Sequence, residues 1–334
     1  MTTTDVGAGT HVPAGGGAPV EVPSGPAAAE TEGVTRGRLV LRRFLRNRLA
    51  LAGLVTLVLL YAVSLLSPLF APWAYNQYDY TAFLQPPSPS HWFGTSQIGE
   101  DVFAQTMRGL QKSLTIGLLT GLISIVIASL VGASAGYFGG WVDRGLMWVV
   151  DLLLVLPSFL IIAVISPALR GSSWIWFVLL LGVFAWMITA RILRGMTLTL
   201  REREFVKAAK FMGAPSSLII RRHILPNMAS LMIIDVTITV GATILLETGL
   251  SYFGFGVQPP DVSLGTLIRA GSDAAVTTPW LFLFAGGLLV ISVLAVNFIG
   301  DGLRDALDPN SRGGRRRQKS ARKSASKTKK VATS

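Results

Sequence analysis

Arg201-Glu-Arg-Glu-Phe-Val-Lys-Ala-Ala-Lys-Phe-Met-Gly213, then Ala214-Pro-Ser-Ser217, then Leu218-Ile-Ile-Arg-Arg-His-Ile-Leu-Pro226-Asn227, is a cationic stretch set between long apolar runs. Its first half has no helix breaker and many good helix formers, and Gly213 falls where a helix would end in a left-handed cap. Pro215 shapes the turn, and Ser216 or Ser217 is placed to cap a second helix by accepting from its free backbone N–H groups. That helix carries Leu218, Ile219, Ile220 and Ile224 with Arg221 and Arg222 between them, and Pro226 is expected to end it. The loop, about 200–227, therefore reads as helix, sharp turn, helix. Periodicity alone fits a cationic linker resting on anionic lipid equally well. The small pair Ala208 and Ala209 favours a protein cleft, because a lipid-facing helix gains by carrying large apolar groups there.

Outward from the loop the chain is apolar. It is 51% hydrophobic and 14% charged, against about 25% charged for soluble domains, so a membrane protein is expected. Uncharged or nearly uncharged runs at about 49–70, 113–137, 146–169, 174–192, 228–255 and 279–299 are each long enough to cross a hydrocarbon core of about 30 Å. The fold class this predicts is an all-α membrane protein of six transmembrane helices. Of the 30 Lys and Arg, 26 fall on one side if the N-terminus is cytoplasmic, and only Arg108, Lys112, Arg170 and Arg269 fall on the other. Cationic segments near a span resist translocation, so both termini are expected in the cytoplasm of a multi-pass inner (cytoplasmic) membrane protein.

The net charge of +12 belongs mostly to one tail: residues 311–334 carry ten basic residues and no acid. That tail is expected to be a solvated, disordered cytoplasmic segment, with membrane lipid rather than nucleic acid as its neighbour. Residues 1–35, rich in Gly, Ala, Pro and Thr, lack any apolar period and are expected to be disordered too; with no basic n-region before a short apolar core, they are not a cleaved signal peptide. The membrane-embedded body is then 36–310. There is no cysteine, which excludes disulfides, thiol nucleophiles and Cys-ligated metal. Between the first two spans, Val102, Phe103, Met107 and Leu110 recur at helical spacing, which predicts an external amphipathic helix lying on the membrane over about 101–114.

At this point the loop resembles the segment shared by permease subunits of bacterial ABC importers: Glu-Ala-Ala, three residues, Gly, nine residues, Ile-x-Leu-Pro. Ala208, Ala209, Gly213, Leu225 and Pro226 occupy matching positions; Lys207 stands in place of Glu, and His223 in place of Ile, with Ile224 following. His91-Trp-Phe-Gly-Thr-Ser-Gln-Ile-Gly-Glu-Asp101 resembles a stretch of the second permease in dipeptide, oligopeptide and nickel importers, departing from it at Trp92, Ser96 and Glu100. Asn297-Phe-Ile-Gly-Asp-Gly-Leu-Arg-Asp-Ala-Leu-Asp-Pro309 is similar to that subfamily's close, and Asp301, Arg304 and Asp308 are spaced to pair along one helix face.

The resemblance implies a type I ABC importer permease fold and a coupling helix that docks on an ATPase. The residues it carries over to ATPase coupling are Glu204, Lys207, Ala208, Ala209, Gly213, Ala214, Pro215, Ile224, Leu225 and Pro226. It implies as partners a second homologous permease, two ATP-binding-cassette ATPases and an extracytoplasmic peptide-binding protein, with dipeptides, short oligopeptides or nickel chelates as cargo. No Gly-x-x-x-x-Gly-Lys-Ser/Thr occurs, so ATP and magnesium are expected in the partners and no cofactor, metal or catalytic residue in this chain.

Ionisable residues inside spans are costly and often functional. Asp151 and Asp235 sit close enough to span ends to reach an interface. Glu247 lies well inside the fifth run, and either lines a translocation pathway or makes a buried structural hydrogen bond. As a titrating group it would also suit an ion- or proton-coupled secondary transporter, the main alternative class; a scaffold without transport is a third. Pro157, Gly121, Gly132 and Gly136 read as packing devices.

Overall fold

A computed structural model describes residues 36–169 and 173–307; the two tails, Arg170, Asp308 and Pro309 lie outside the described residues. By packing, the chain divides into Met1–Leu39, which contributes only the start of the first helix to the described residues, and Val40–Ser334, which holds everything discussed below. The regular elements among the described residues are helices: α1 (Arg36–Phe44), α2 (Arg48–Phe70), α3 (Val102–Phe138), α4 (Gly140–Val155), α5 (Ser158–Ile165), α6 (Trp174–Ala185), α7 (Met187–Arg201), α8 (Glu204–Phe211), α9 (Ser216–Ile219), α10 (Leu225–Tyr252), α11 (Leu264–Ser272) and α12 (Trp280–Leu307). A 3-10 turn, Ser166–Leu169, follows α5, and a π turn, Ile220–Ile224, joins α9 to α10.

Four helical segments are long and apolar enough to cross a membrane, and six if each of two bent pairs counts as one span. The bends lie at Leu156-Pro157, 78° between α4 and α5, and near Trp186, 45° between α6 and α7. Pro157 has no N–H to donate and biases the residue before it away from the helix, which breaks the third apolar run there.

α3 is the hub, packing on α7, α10, α6, α2, α4 and α11. It is 37 residues long, about 55 Å, and small residues let its neighbours approach. A Cβ on Gly132 would meet the Ala190 carbonyl oxygen at 2.5 Å, and one on Gly136 the Arg194 carbonyl oxygen at 2.7 Å, both in α7; one on Gly121 would meet Val240 of α10 at 3.0 Å.

The expected external amphipathic helix is not a separate element. Residues 102–112 are the first turns of α3, capped by the Asp101 side chain, which accepts from the Ala104 N–H at 2.8 Å. Val102, Phe103, Met107 and Leu110 are buried, and Leu110 packs with Val240, Ile244, Leu264 and Ile268 rather than lipid. An apolar stripe looks the same whether protein or lipid covers it.

Before α3, residues 71–101 form an irregular plug. His91 stacks on Trp73 at 4.9 Å and its Nδ1 lies 2.9 Å from Asp101, while Phe93 stacks on Phe284 of α12 at 3.8 Å. The Thr81 hydroxyl and N–H hold the Asp79 carboxyl below its ordinary range, and burial pushes Glu100 up. At the chain's far end no ion pair forms between Asp301 and Arg304 among the described residues, correcting that part of the expected pairing; Asp308 falls outside them.

Candidate coupling surface and polar clusters

The loop folds as a helical hairpin with one face in the core. Val206 and Ala209 of α8 are buried with Ile219, Ile224 and Met228 against Ala190 and Leu193 of α7. Gly213 ends the α8 turn with φ +80°, a conformation L side chains rarely adopt, and the Ala214 N–H reaches back to the Ala209 carbonyl at 3.1 Å. Neither serine caps α9: Pro215 is the N-cap and offers no side chain, and its carbonyl instead accepts from Leu218 and Ile219. Pro226 does not end the second helix either. The chain runs on from α9 through the π turn into α10, because a widened turn before Pro226 relieves the clash between its ring and the preceding turn. The Asn227 side-chain amide donates to the His223 carbonyl at 2.6 Å.

The carried-over residues therefore divide. Ala209 and Ile224 are buried, Ala214 and Leu225 half-buried, and Glu204, Lys207, Ala208, Gly213, Pro215 and Pro226 exposed. Lys207 does not pair with Glu204. It bonds Glu202 at 3.2 Å, and with Arg201 beside it holds the Glu202 carboxyl below the ordinary range. The sequence reading passed over Phe211 and Met212, which are 90% and 80% exposed at the end of α8. Two large apolar side chains standing free beside a glycine turn suit a protein partner better than water.

Glu247 lies at the other end of α10, about 33 Å from Leu225 along the helix. It is fully buried: the Ser113 hydroxyl donates to one carboxyl oxygen at 2.8 Å and the Ser251 hydroxyl to the other at 2.6 Å. Ser263 extends the cluster to Ser251, and the Leu264 N–H donates to Ser113, so the carboxyl ties α3, α10 and the start of α11 together. Beside it, Arg108 and Lys112, four residues apart on one face of α3, share one oxygen of Asp261 at 3.3 and 3.0 Å. The Lys112 ammonium also lies 4.3 Å from the Trp174 ring. The i,i+4 spacing of Arg108 and Lys112 was visible in the sequence, but their shared acid 149 residues beyond Lys112 was not.

Asp235 accepts from the Thr189 hydroxyl at 2.8 Å. Asp143 pairs with Arg194, with a second contact of 2.6 Å, and Asp151 pairs with Arg191.

A bundle of long apolar helices around a closely packed hub, with a cationic helical hairpin at one end, defines a multi-pass membrane protein. Residues 124–313 match the family described as "Binding-protein-dependent transport system inner membrane component", and residues 35–87 match the "N-terminal TM domain of oligopeptide transport permease C". The chain belongs to the first of these families and is a multi-pass membrane protein. More particularly, it is 55% identical over 287 residues, 86% of this chain and 99% of the other, to the oligopeptide transport system permease protein OppC of Mycobacterium tuberculosis (strain ATCC 25618 / H37Rv). It is 42% identical over 271 residues, 80% of this chain and 89% of the other, to a putative peptide permease protein of Brucella suis biovar 1. The OppC of Bacillus subtilis (strain 168) is 34% identical over 296 residues, 87% and 96% of the two chains. Family membership favours the importer permease over the gradient-driven transporter and the scaffold.

Proposed function

We propose that this chain is the six-span permease subunit of an ATP-driven importer of dipeptides or short oligopeptides, with both termini cytoplasmic. It pairs with a second homologous permease, receives cargo from an extracytoplasmic binding protein, and is moved by two ATPases that hold the ATP and magnesium. The observation that carries the coupling role is the hairpin: α8 is anchored on its inner face by Val206 and Ala209 and leaves Phe211 and Met212 standing free. The peptide cargo rests on the names of the relatives; nickel chelates are the second reading the architecture admits. The 26-to-4 split of cationic residues supports the orientation.

The test is to purify the tagged protein in mild detergent and identify its companions by mass spectrometry, with Phe211→Ser/Met212→Ser alongside. A second permease and Walker-type ATPases should accompany the wild type, and the ATPases should be lost from the variant, while its folding changes by no more than about 0.5 kcal/mol, as is usual for exposed sites. A lone chain or homodimer under conditions that preserve complexes would overturn the reading.

A further inference from the structure

α4 is held in an unusual way. It begins at Gly140 behind the cap residue Gly139, with φ of +54° and +64°, and a Cβ on Gly140 would meet nothing within 4 Å. It ends at the 78° break before Pro157. Between these two flexure points Val150 is its one fully buried side chain, with Met147, Leu153 and Leu154 only partly covered. In a bilayer apolar contact gains little over lipid, so within this chain the polar ties weigh most in setting where α4 lies.

What ties it down is polar and comes from one neighbour. Asp143 takes Arg194 through both carboxyl oxygens, and Asp151 takes Arg191 two turns further along; both arginines belong to α7. A two-oxygen arginine–carboxylate contact fixes orientation as well as distance. α7 is itself fused to α3 at Gly132 and Gly136, and Arg201 at its end donates to the Gly136 and Tyr137 carbonyls at 3.1 and 3.4 Å. Only Glu202 and Arg203 separate α7 from α8.

Resting on the coupling role proposed above, we propose that Asp143 and Arg194 clamp α4 to α7, so that displacement of the α8 hairpin is delivered to α4 as a lever between Gly139-Gly140 and Pro157. Arg194 is a positioning residue for transport and not for docking. It lies on the stem behind the hairpin and touches α4, whereas the free surface of the hairpin is formed by Phe211, Met212 and the exposed residues of α8. Asp151 and Arg191, each about half exposed, are the weaker second tie, because solvent screens such a pair.

The experiment uses the complete transporter reconstituted in proteoliposomes, with radiolabelled tri-alanine as the probe and ATP hydrolysis measured in the same vesicles. Arg194→Gln and Asp143→Asn should keep their ATPases and continue to hydrolyse ATP, while uptake per ATP falls at least tenfold. The exchanged pair Asp143→Arg/Arg194→Asp should recover most of that ratio, which a merely structural loss would not. This chain holds no cysteine, so with the partners' cysteines replaced a second readout is possible. Spin labels at Gly145→Cys and Gly195→Cys, two positions where a Cβ meets nothing within 4 Å, should give one narrow distance distribution in the wild-type background and a broad one with Arg194→Gln.

Unchanged coupling and an unchanged distribution in the single variants would overturn the clamp, as would loss of the ATPases from Arg194→Gln. A wild-type complex without ATP-driven uptake would instead remove the reading of function on which the clamp rests.

Discussion

Gly213→Val isolates a backbone effect with little side-chain collision. The residue has φ +80° and a Cβ built there meets nothing within 4 Å, so the added atoms find space and the cost falls on the dihedral. An L residue in the left-handed region costs about 1–2 kcal/mol, and a β-branched one lies at or above the upper end. Relieving that strain means reopening the turn that fixes where Phe211 and Met212 stand relative to α9. If the native turn loses about 2 kcal/mol relative to reopened forms, the ratio of docking-competent to reopened forms falls roughly 30-fold. Retention of ATPases on the tagged permease, titrated over a range of ATPase concentration, should weaken by up to that factor, and peptide uptake should fall with it. Insertion and yield should stay near wild type, because the turn lies outside the apolar spans. Asn tolerates the left-handed region better than Ala, and Ala better than Val, so the order of retention should be Gly, Asn, Ala, Val. Wild-type retention by Gly213→Val would refute the reasoning. So would an Asn variant worse than Val, which would make side-chain chemistry and not φ the controlling quantity.

Glu247→Ala removes the acceptor of two buried hydroxyls and leaves a void, a loss of about 3 kcal/mol or more. Glu247→Gln should cost about 1–3 kcal/mol; thermal unfolding of the purified protein reads both, and unchanged melting in the Ala variant would contradict the buried cluster. Peptide uptake by Glu247→Gln should remain ATP-driven if the carboxyl acts as the tie between helices that its hydrogen bonds to Ser113 and Ser251 make it. Asp261→Asn leaves Arg108 and Lys112 without their acid, and should cost about 2 kcal/mol or more. Lys112→Met should cost less because Arg108 keeps its partner, and the opposite order of melting temperatures would count against the shared-acid arrangement.

The loop was legible because its signals are local. A run of good helix formers, a glycine at a helix end and a proline in a turn act within a few residues, and Gly213 adopts the left-handed turn its position implies. What failed depends on neighbours that sequence order does not reveal. Val102, Phe103, Met107 and Leu110 have a periodicity that shows one apolar face but not whether lipid or α10 and α11 will cover it. Pro226 and the two serines misled because a π turn and the Pro215 carbonyl took over the work assigned to them. Glu247 stood out as an intramembrane acid with Ser251 one turn on, yet its other partner, Ser113, comes from α3, 134 residues away. The ion pairs from α4 to α7 were hidden for the same reason, their partners lying 40 and 51 residues apart.

Near its start α2 lies against the last helix. A Cβ on Gly53 would meet the Ala295 carbonyl oxygen at 2.7 Å, and Ala50 presses on Gly302, both in α12. α2 thus leaves the ribosome well before α12, its main neighbour. At about 5–20 residues per second, the interval is on the order of 10–50 s. Throughout it the small-residue face of α2 stands uncovered in the bilayer, open to any other helix with a small-residue face. The order of synthesis therefore imposes a window in which assembly is most easily diverted, and it closes only when α12 arrives.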